Sequence, residues 1–290
     1  MPEPRQSASP RRWGPDGRAA AVSITFDNLG EAMDLAMGTW PQHARVGRHF
    51  SVTDVLPRIL DLLDEEGVRC TFFVEGWSAE LYPEALRSLC RAGHEIACHG
   101  WRHEPWTTIR TRGLEAELIR RSVSSLKRHG IELRGFRPPG GISNPWTIDV
   151  LRELGFSYLS PAGTGAGLLD GLVALPFPWT GTDAYYLFEA FGELRRSRGE
   201  PGEPLPPDRL VAGMERTLKE TVAAGGYVSL IFHPFLHAEQ GHFDVMRRII
   251  ATVAHSDALW CAPCAEHADW LEANSASVAV EPTLDERNWH

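Results

Sequence analysis

Short apolar, β-branched runs alternate along the chain with stretches whose apolar residues recur every three or four positions. Residues 20–26 (AAVSITF) are the first such run and read as a buried strand that ends abruptly at Asp27-Asn28. After a long loop, Ser51 with Asp54 three residues on resembles a capping box ahead of VLPRILDLLDEEG, a helix stopped by Gly67. VRCTFFV (68–74) is the next strand. Pro83 opens a helix that ends at Gly93, and HEIAC (94–98) follows as a third strand. The same pattern predicts helices over 113–129, 145–154, 207–224, 239–254 and 263–273, and strands over 134–136, 157–159, 172–175, 226–232 and 258–261.

Strands that alternate with helices imply a parallel sheet, either open and doubly wound or closed, and the number of units favours a distorted (β/α)7 or (β/α)8 barrel. The expected organisation is one domain over 20–273, with a disordered tail at 1–19 and a C-terminal tail at 274–290. Pro, Gly and charge enrichment marks RSRGEPGEPLPPD (196–208) as an exposed insertion.

Composition narrows the class. A chain of 290 residues that is 43% hydrophobic can build a sizeable core, which excludes a disordered or fibrous protein. The net charge of −9 argues against broad nucleic-acid binding. No run approaches the roughly 18–20 apolar residues of a membrane span, and the arginines near the start have no apolar run behind them. Five cysteines at irregular spacing demand no disulfide framework, so Cys261-Ala-Pro-Cys264 is read as packing. These features predict a cytoplasmic protein that binds neither nucleic acid nor membrane.

In an α/β barrel, chemistry sits at the C-terminal ends of the strands, and this chain collects its unusual polar residues there. The first strand ends in Asp27-Asn28, the third in His99-Gly-Trp-Arg-His103, the fourth in Arg137-Pro-Pro-Gly140 and the penultimate one in His233-Pro234. His99 and His103, four apart, can meet one divalent ion if the segment turns, with Asn28 or Asp27 as an oxygen ligand.

TFDN (25–28), HGWRH (99–103), RPPG (137–140) and LIFHP (230–234), with TFFV (71–74) and GHEIACHG (93–100) between them, resemble the ordered motifs of the polysaccharide deacetylase family, the NodB-homology or carbohydrate esterase family 4 group. The resemblance implies a distorted (β/α) barrel that hydrolyses N-acyl groups with a metal-bound water. It makes Asp27 the general base, His99 and His103 metal ligands, Arg137 the residue that orients Asp27, the backbone N–H near Gly140 an oxyanion donor and His233 the general acid. An arginine beside Asp27 is expected to hold that carboxylate ionised near neutral pH.

Asn28 departs from the family's TFDD pattern, in which the second aspartate is a ligand. Three arrangements stay open: a weaker Asn28-His99-His103 site, a site in which Asp27 itself ligates, or no metal. A divalent metal, zinc, is the expectation. The HGWRH form resembles the branch of small-substrate amidohydrolases and atypical peptidoglycan deacetylases.

The predicted activity is hydrolysis of a carbon-nitrogen bond other than a peptide bond, removing an acetyl or formyl group from a small-molecule or carbohydrate substrate, an amino sugar or similar small amide. The alternatives are a cyclic-amide hydrolase of the allantoinase or imide type and a non-catalytic carbohydrate-binding relative. Ten tryptophans are many for this length, and Trp77, Trp101, Trp106, Trp146 and Trp179 fall in or beside strand-end loops, where an indole can line a pocket. Trp101 and Trp179 are candidate substrate contacts. Asp183 either touches substrate or orients His233, whereas His43, His49 and His237 read as surface residues.

Overall fold

The computed structural model describes residues 11–287. Its strands are β1 (Ala20–Asp27), β2 (Thr71–Val74), β3 (Glu95–Cys98), β4 (Gly135–Phe136), β5 (Tyr158–Leu159), β6 (Gly163–Thr164), β7 (Gly167–Leu169), β8 (Leu172–Ala174), β9 (Tyr227–Phe232), β10 (Leu259–Cys261) and β11 (Thr283–Leu284). A parallel run β9-β1-β2-β3-β4-β5-β8 curls around one axis, and β10 pairs with the first half of β1. Among the described residues β8 and β9 share no ladder. An isolated bridge, Thr182 to Ile231, spans the gap. The sheet is therefore the distorted barrel that the alternation predicts, and parallel pairing puts the C-terminal ends of its long strands on one rim.

β1 shows how the sequence builds this wall. Ala20, Val22, Ile24 and Phe26 join the main apolar cluster, while Ser23, Thr25 and Asp27 alternate to the other face, so all eight residues are buried and the second face is polar. Helices cover the outside by ordinary amphipathic burial: Leu56–Glu65 buries Leu56, Ile59, Leu62 and Leu63. No helix among the described residues is long and apolar enough to cross a membrane.

Two expectations about the termini need correction. Of the expected disordered tail, residues 1–10 lie outside the described residues, but residues 11–19 are packed. Trp13 is 1% exposed, bridges to Arg18, and donates its indole N–H to the Gly225 carbonyl at 2.9 Å. At the other end the last helix runs Cys264–Val278, past residue 273, and β11 pairs with β6. Trp13 and Val278 join one buried cluster with Tyr227, a long-range contact that a reading by local composition misses. The insertion at 196–208 is largely exposed as expected, with Leu205 buried and its N–H given to the Tyr186 carbonyl.

Candidate active site

The rim of the barrel carries a pocket of about 290 Å³ lined by Asp27, Asn28, His99, His103, Arg137, Gly140 and His233, so residues from four separated segments do converge. Asp27 ends β1, and Asn28 follows it at φ 62°, a left-handed conformation that asparagine tolerates and that turns the chain out of the strand. The Asn28 amide nitrogen donates to Met33 Sδ at 3.2 Å, and its buried carbonyl oxygen has no hydrogen-bond partner among the described residues.

His99 ends the rise of β3 and gives its Nδ1 proton to the Arg137 carbonyl at 2.9 Å. A carbonyl can only accept, so the ring is the Nδ1–H tautomer and Nε2 keeps its lone pair. Burial drives its pKa down to about 3, so the ring is neutral. Gly100 (φ 76°) and His103 (φ 58°) turn the chain back, and the Glu104 carboxylate accepts the Trp101 and Arg102 N–H groups at 3.0 Å each, which closes that turn. The two imidazoles end with centroids 5.2 Å apart. The segment thus turns as the four-residue spacing requires. No group of three or more His, Cys, Asp or Glu side chains among the described residues is arranged to hold a metal ion.

Arg137 is 1% exposed and runs along the polar face of the barrel. It pairs with Asp27 Oδ1 at 2.6 Å, donates to Thr25, Ser160 and Ser229 hydroxyls at 3.0, 2.9 and 2.9 Å, and stacks over Phe73 at 3.9 Å. The expected effect on Asp27 is only part of the balance: burial raises its pKa more than Arg137 and His233 lower it, and the net shift is upward. After Arg137, whose N–H goes to the Cys98 carbonyl, come two prolines without N–H, then Gly140, and the Gly141 N–H bonds the Pro138 carbonyl. The Gly140 N–H is therefore the one on this loop given to no backbone carbonyl among the described residues.

On the far side His233 Nδ1 lies 2.6 Å from Asp183 Oδ1, and its own N–H donates to Asp183 Oδ2 at 2.7 Å. Burial alone would lower the His233 pKa, but the Asp183 carboxylate, helped by Asp27, outweighs it and moves it upward. Asp183 itself is fully buried, yet His233 and His237 overcome that burial and hold its pKa below the usual carboxylate range. An anchored carboxylate that can take a proton and an imidazolium that can give one thus face one pocket.

Other expectations are corrected. Asp183 does not line the pocket; it orients His233 and also accepts from His237 Nε2 at 2.8 Å. His237 is fully buried and His49 is 3% exposed, bonded to Asp34 and Ser51, so of the three supposed surface histidines only His43 is exposed. Trp101 is not at the pocket: it packs with Ala32 and Trp77, and Arg121 covers its face at 4.0 Å. Trp146 donates to Glu115. Of the five strand-end tryptophans, Trp106 and Trp179 line the cavity.

The sequence reading also missed two features. Phe177, Phe188, Phe191 and Phe235 line the pocket, and Glu75, at the end of β2, is a fully buried carboxyl pushed up to about 8 by that burial, with neither oxygen in a hydrogen bond of normal geometry. A charged residue directly after TFFV is the one sequence signal for the latter.

The chain matches the polysaccharide deacetylase family over residues 15–159, half of its length. It is 31% identical over 108 residues to a peptidoglycan deacetylase of Helicobacter pylori, a stretch covering 36% of this chain and 35% of that protein. The matched stretches span 22–38% of the length of such curated relatives. Among solved structures, a candidate polysaccharide deacetylase of Mycobacterium smegmatis superposes with TM-score 0.80 at 28% identity, covering 96% of this chain and 99% of that one. A Puue allantoinase superposes at 0.71 and 18% identity over 94% and 98%, a likeness of fold. With the family's motifs gathered on one rim of the family's fold, the chain belongs to the polysaccharide deacetylases.

Proposed function

We propose that the protein is a carbon-nitrogen hydrolase that removes an N-acyl group from an amino sugar or a similar small amide. The observation that carries this reading is the pairing of two anchored ionisable groups across one pocket: Asp27 held by Arg137, and His233 held by Asp183. A binding module needs neither an arginine-anchored base nor a carboxylate-anchored acid.

In this reading Asp27 takes a proton from the attacking water, whose oxygen bonds to the acyl carbon. The Gly140 N–H faces the oxygen that gains charge. His233, its Nδ1 fixed by Asp183, donates from Nε2 to the nitrogen as the carbon-nitrogen bond breaks, so an amine and a carboxylic acid leave. His237 is a positioning residue, since it reaches the site through Asp183.

Asn28, His99 and His103 fit a divalent cation. The unpartnered, buried Asn28 Oδ1 is a neutral oxygen donor, and His99 presents a neutral nitrogen whose tautomer the Arg137 carbonyl holds. A mixed nitrogen and oxygen set suits zinc. When bound, such a cation supplies Lewis-acid polarisation of the amide carbonyl and of water.

Turnover of N-acetylglucosamine derivatives, set against allantoin and small imides, tests the reading. Release of acetate that is lost in Asp27→Asn and His233→Ala is the expected result. Turnover of the ring substrates alone would overturn it.

A further inference from the structure

The walls of the pocket are of a different chemistry from its reactive floor. From Phe177 an unbroken series of rings runs through Trp179 (centroids 5.3 Å apart), Phe191 (5.3 Å), Phe188 (6.3 Å) and Phe235 (5.6 Å) to His233 (5.6 Å). Met33 and Met37, from the short helix Ala32–Met37 after β1, also line the cavity. Apart from the reactive groups and the two indoles, the polar side chains lining it are three threonines, Thr107, Thr108 and Thr182.

This wall is held in place before any substrate arrives. Arg195, fully buried, donates to the carbonyls of Tyr185 (2.8 Å), Phe188 (2.9 Å) and Gly202 (2.7 Å), pinning both ends of the segment that carries Phe188 and Phe191. A guanidinium spent on backbone carbonyls, the more distant Glu189 carbonyl included, makes a preformed surface rather than a flexible flap.

Such a surface discriminates. A sugar hydroxyl pressed against it without a partner costs roughly tenfold in affinity, whereas each methylene buried there gains about fourfold. On the amide-hydrolase reading given above, we infer that the scissile amide of the substrate carries an apolar arm larger than acetyl, aliphatic or aromatic, seated on the Phe177-Trp179-Phe191-Phe188-Phe235 wall. The arm belongs to either the acyl side or the amine side; both present the same apolar group to the wall.

Calorimetric titration of the full chain with reaction products tests this without turnover. Acetate and hexanoate share a carboxylate and differ in the acyl arm; ethanolamine and benzylamine share an amine and differ in the other arm. We expect hexanoate over acetate, or benzylamine over ethanolamine, by more than tenfold. Phe188→Ser and Phe235→Ser, both at half-buried positions, should each reduce that ratio by several-fold with the melting temperature retained. Ratios within threefold for both pairs, or ratios unmoved in both variants, overturn the inference. Turnover of N-acetylglucosamine, N-hexanoylglucosamine and N-acetylbenzylamine tests the hydrolase reading separately. If none is cleaved while a product pair still shows the tenfold preference, the wall has its apolar ligand and the amide chemistry fails. If N-acetylglucosamine is cleaved at least as efficiently as the other two, the chemistry stands and the arm fails.

Discussion

Replacing Arg137 with alanine should remove more stability than any other single change at the site. The guanidinium is 1% exposed and the Asp27 side chain that it pairs with is 5% exposed. Three hydroxyls also accept from it, but Thr25 and Ser160 already donate their own protons to the Leu230 and Leu175 carbonyls, so they lose acceptor contacts only and keep their bonds as donors. The main cost is therefore the carboxylate left buried without its partner, about 3–5 kcal/mol for breaking a buried pair. Against a total of about 5–15 kcal/mol for a typical domain, the variant should still fold but with a much lower urea midpoint. The reasoning makes a second demand: Asp27→Asn added to Arg137→Met removes the stranded charge and should recover at least about 2 kcal/mol relative to Arg137→Ala. Urea unfolding followed by tryptophan fluorescence measures both. A loss under about 1 kcal/mol for Arg137→Ala, or no recovery in the double variant, would refute the idea that the ion pair is what makes Asp27 tolerable in the barrel.

Glu75 holds its proton up to about pH 8 in the folded protein but releases it near 4.5 when unfolded, so the native state binds the extra proton and its contribution to stability falls as pH rises through that window. Thermal melts of Glu75→Gln against wild type should diverge by up to about 1.4 kcal/mol per pH unit between pH 5 and 8; parallel curves would contradict it. Because Asp183 raises the His233 pKa, the acid form persists above the ordinary range and is lost as pH climbs through the raised value, so Asp183→Asn should move the alkaline limb of the rate profile to lower pH. An unmoved limb would dissociate Asp183 from the acid. Prolonged chelation is expected to lower turnover and readdition of zinc to restore it, while His99→Ala purifies with less metal; full activity in metal-free protein would remove the cation from the reading. Trp13→Ala should cost about 3–5 kcal/mol, because it deletes a fully buried indole and its bond to Gly225.

The elements were legible wherever local periodicity was strong. The helices Pro207–Ala224 and Gln240–Ala254 and the strand Tyr227–Phe232 lie within a residue of where apolar spacing puts them. Short pieces were not legible. Ala32–Met37 and Asp183–Leu187 are too brief to carry a period, yet they flank the pocket and hold Met33 and Asp183. His237 reads as a loop histidine in sequence because nothing within a few residues hints at a carboxylate 54 positions away.

The sequence alone determined which chemistries were available and at which strand ends they stand, because side-chain type is intrinsic and strand ends are set by local pattern. It carried the aspartate, the imidazoles, the arginine and the glycine that the rim presents. Only the tertiary structure decided how they act. Asp27 meets Arg137 across 110 residues and His233 meets Asp183 across 50, and the direction of each pKa shift depends on burial that those long-range contacts create. The same holds for the tryptophans: Trp101 and Trp179 are alike as residues, but the turn after β3 carries one into packing and the closure of the barrel carries the other to the cavity. Which face an aromatic ring presents is fixed by what packs behind it, and that information is not local.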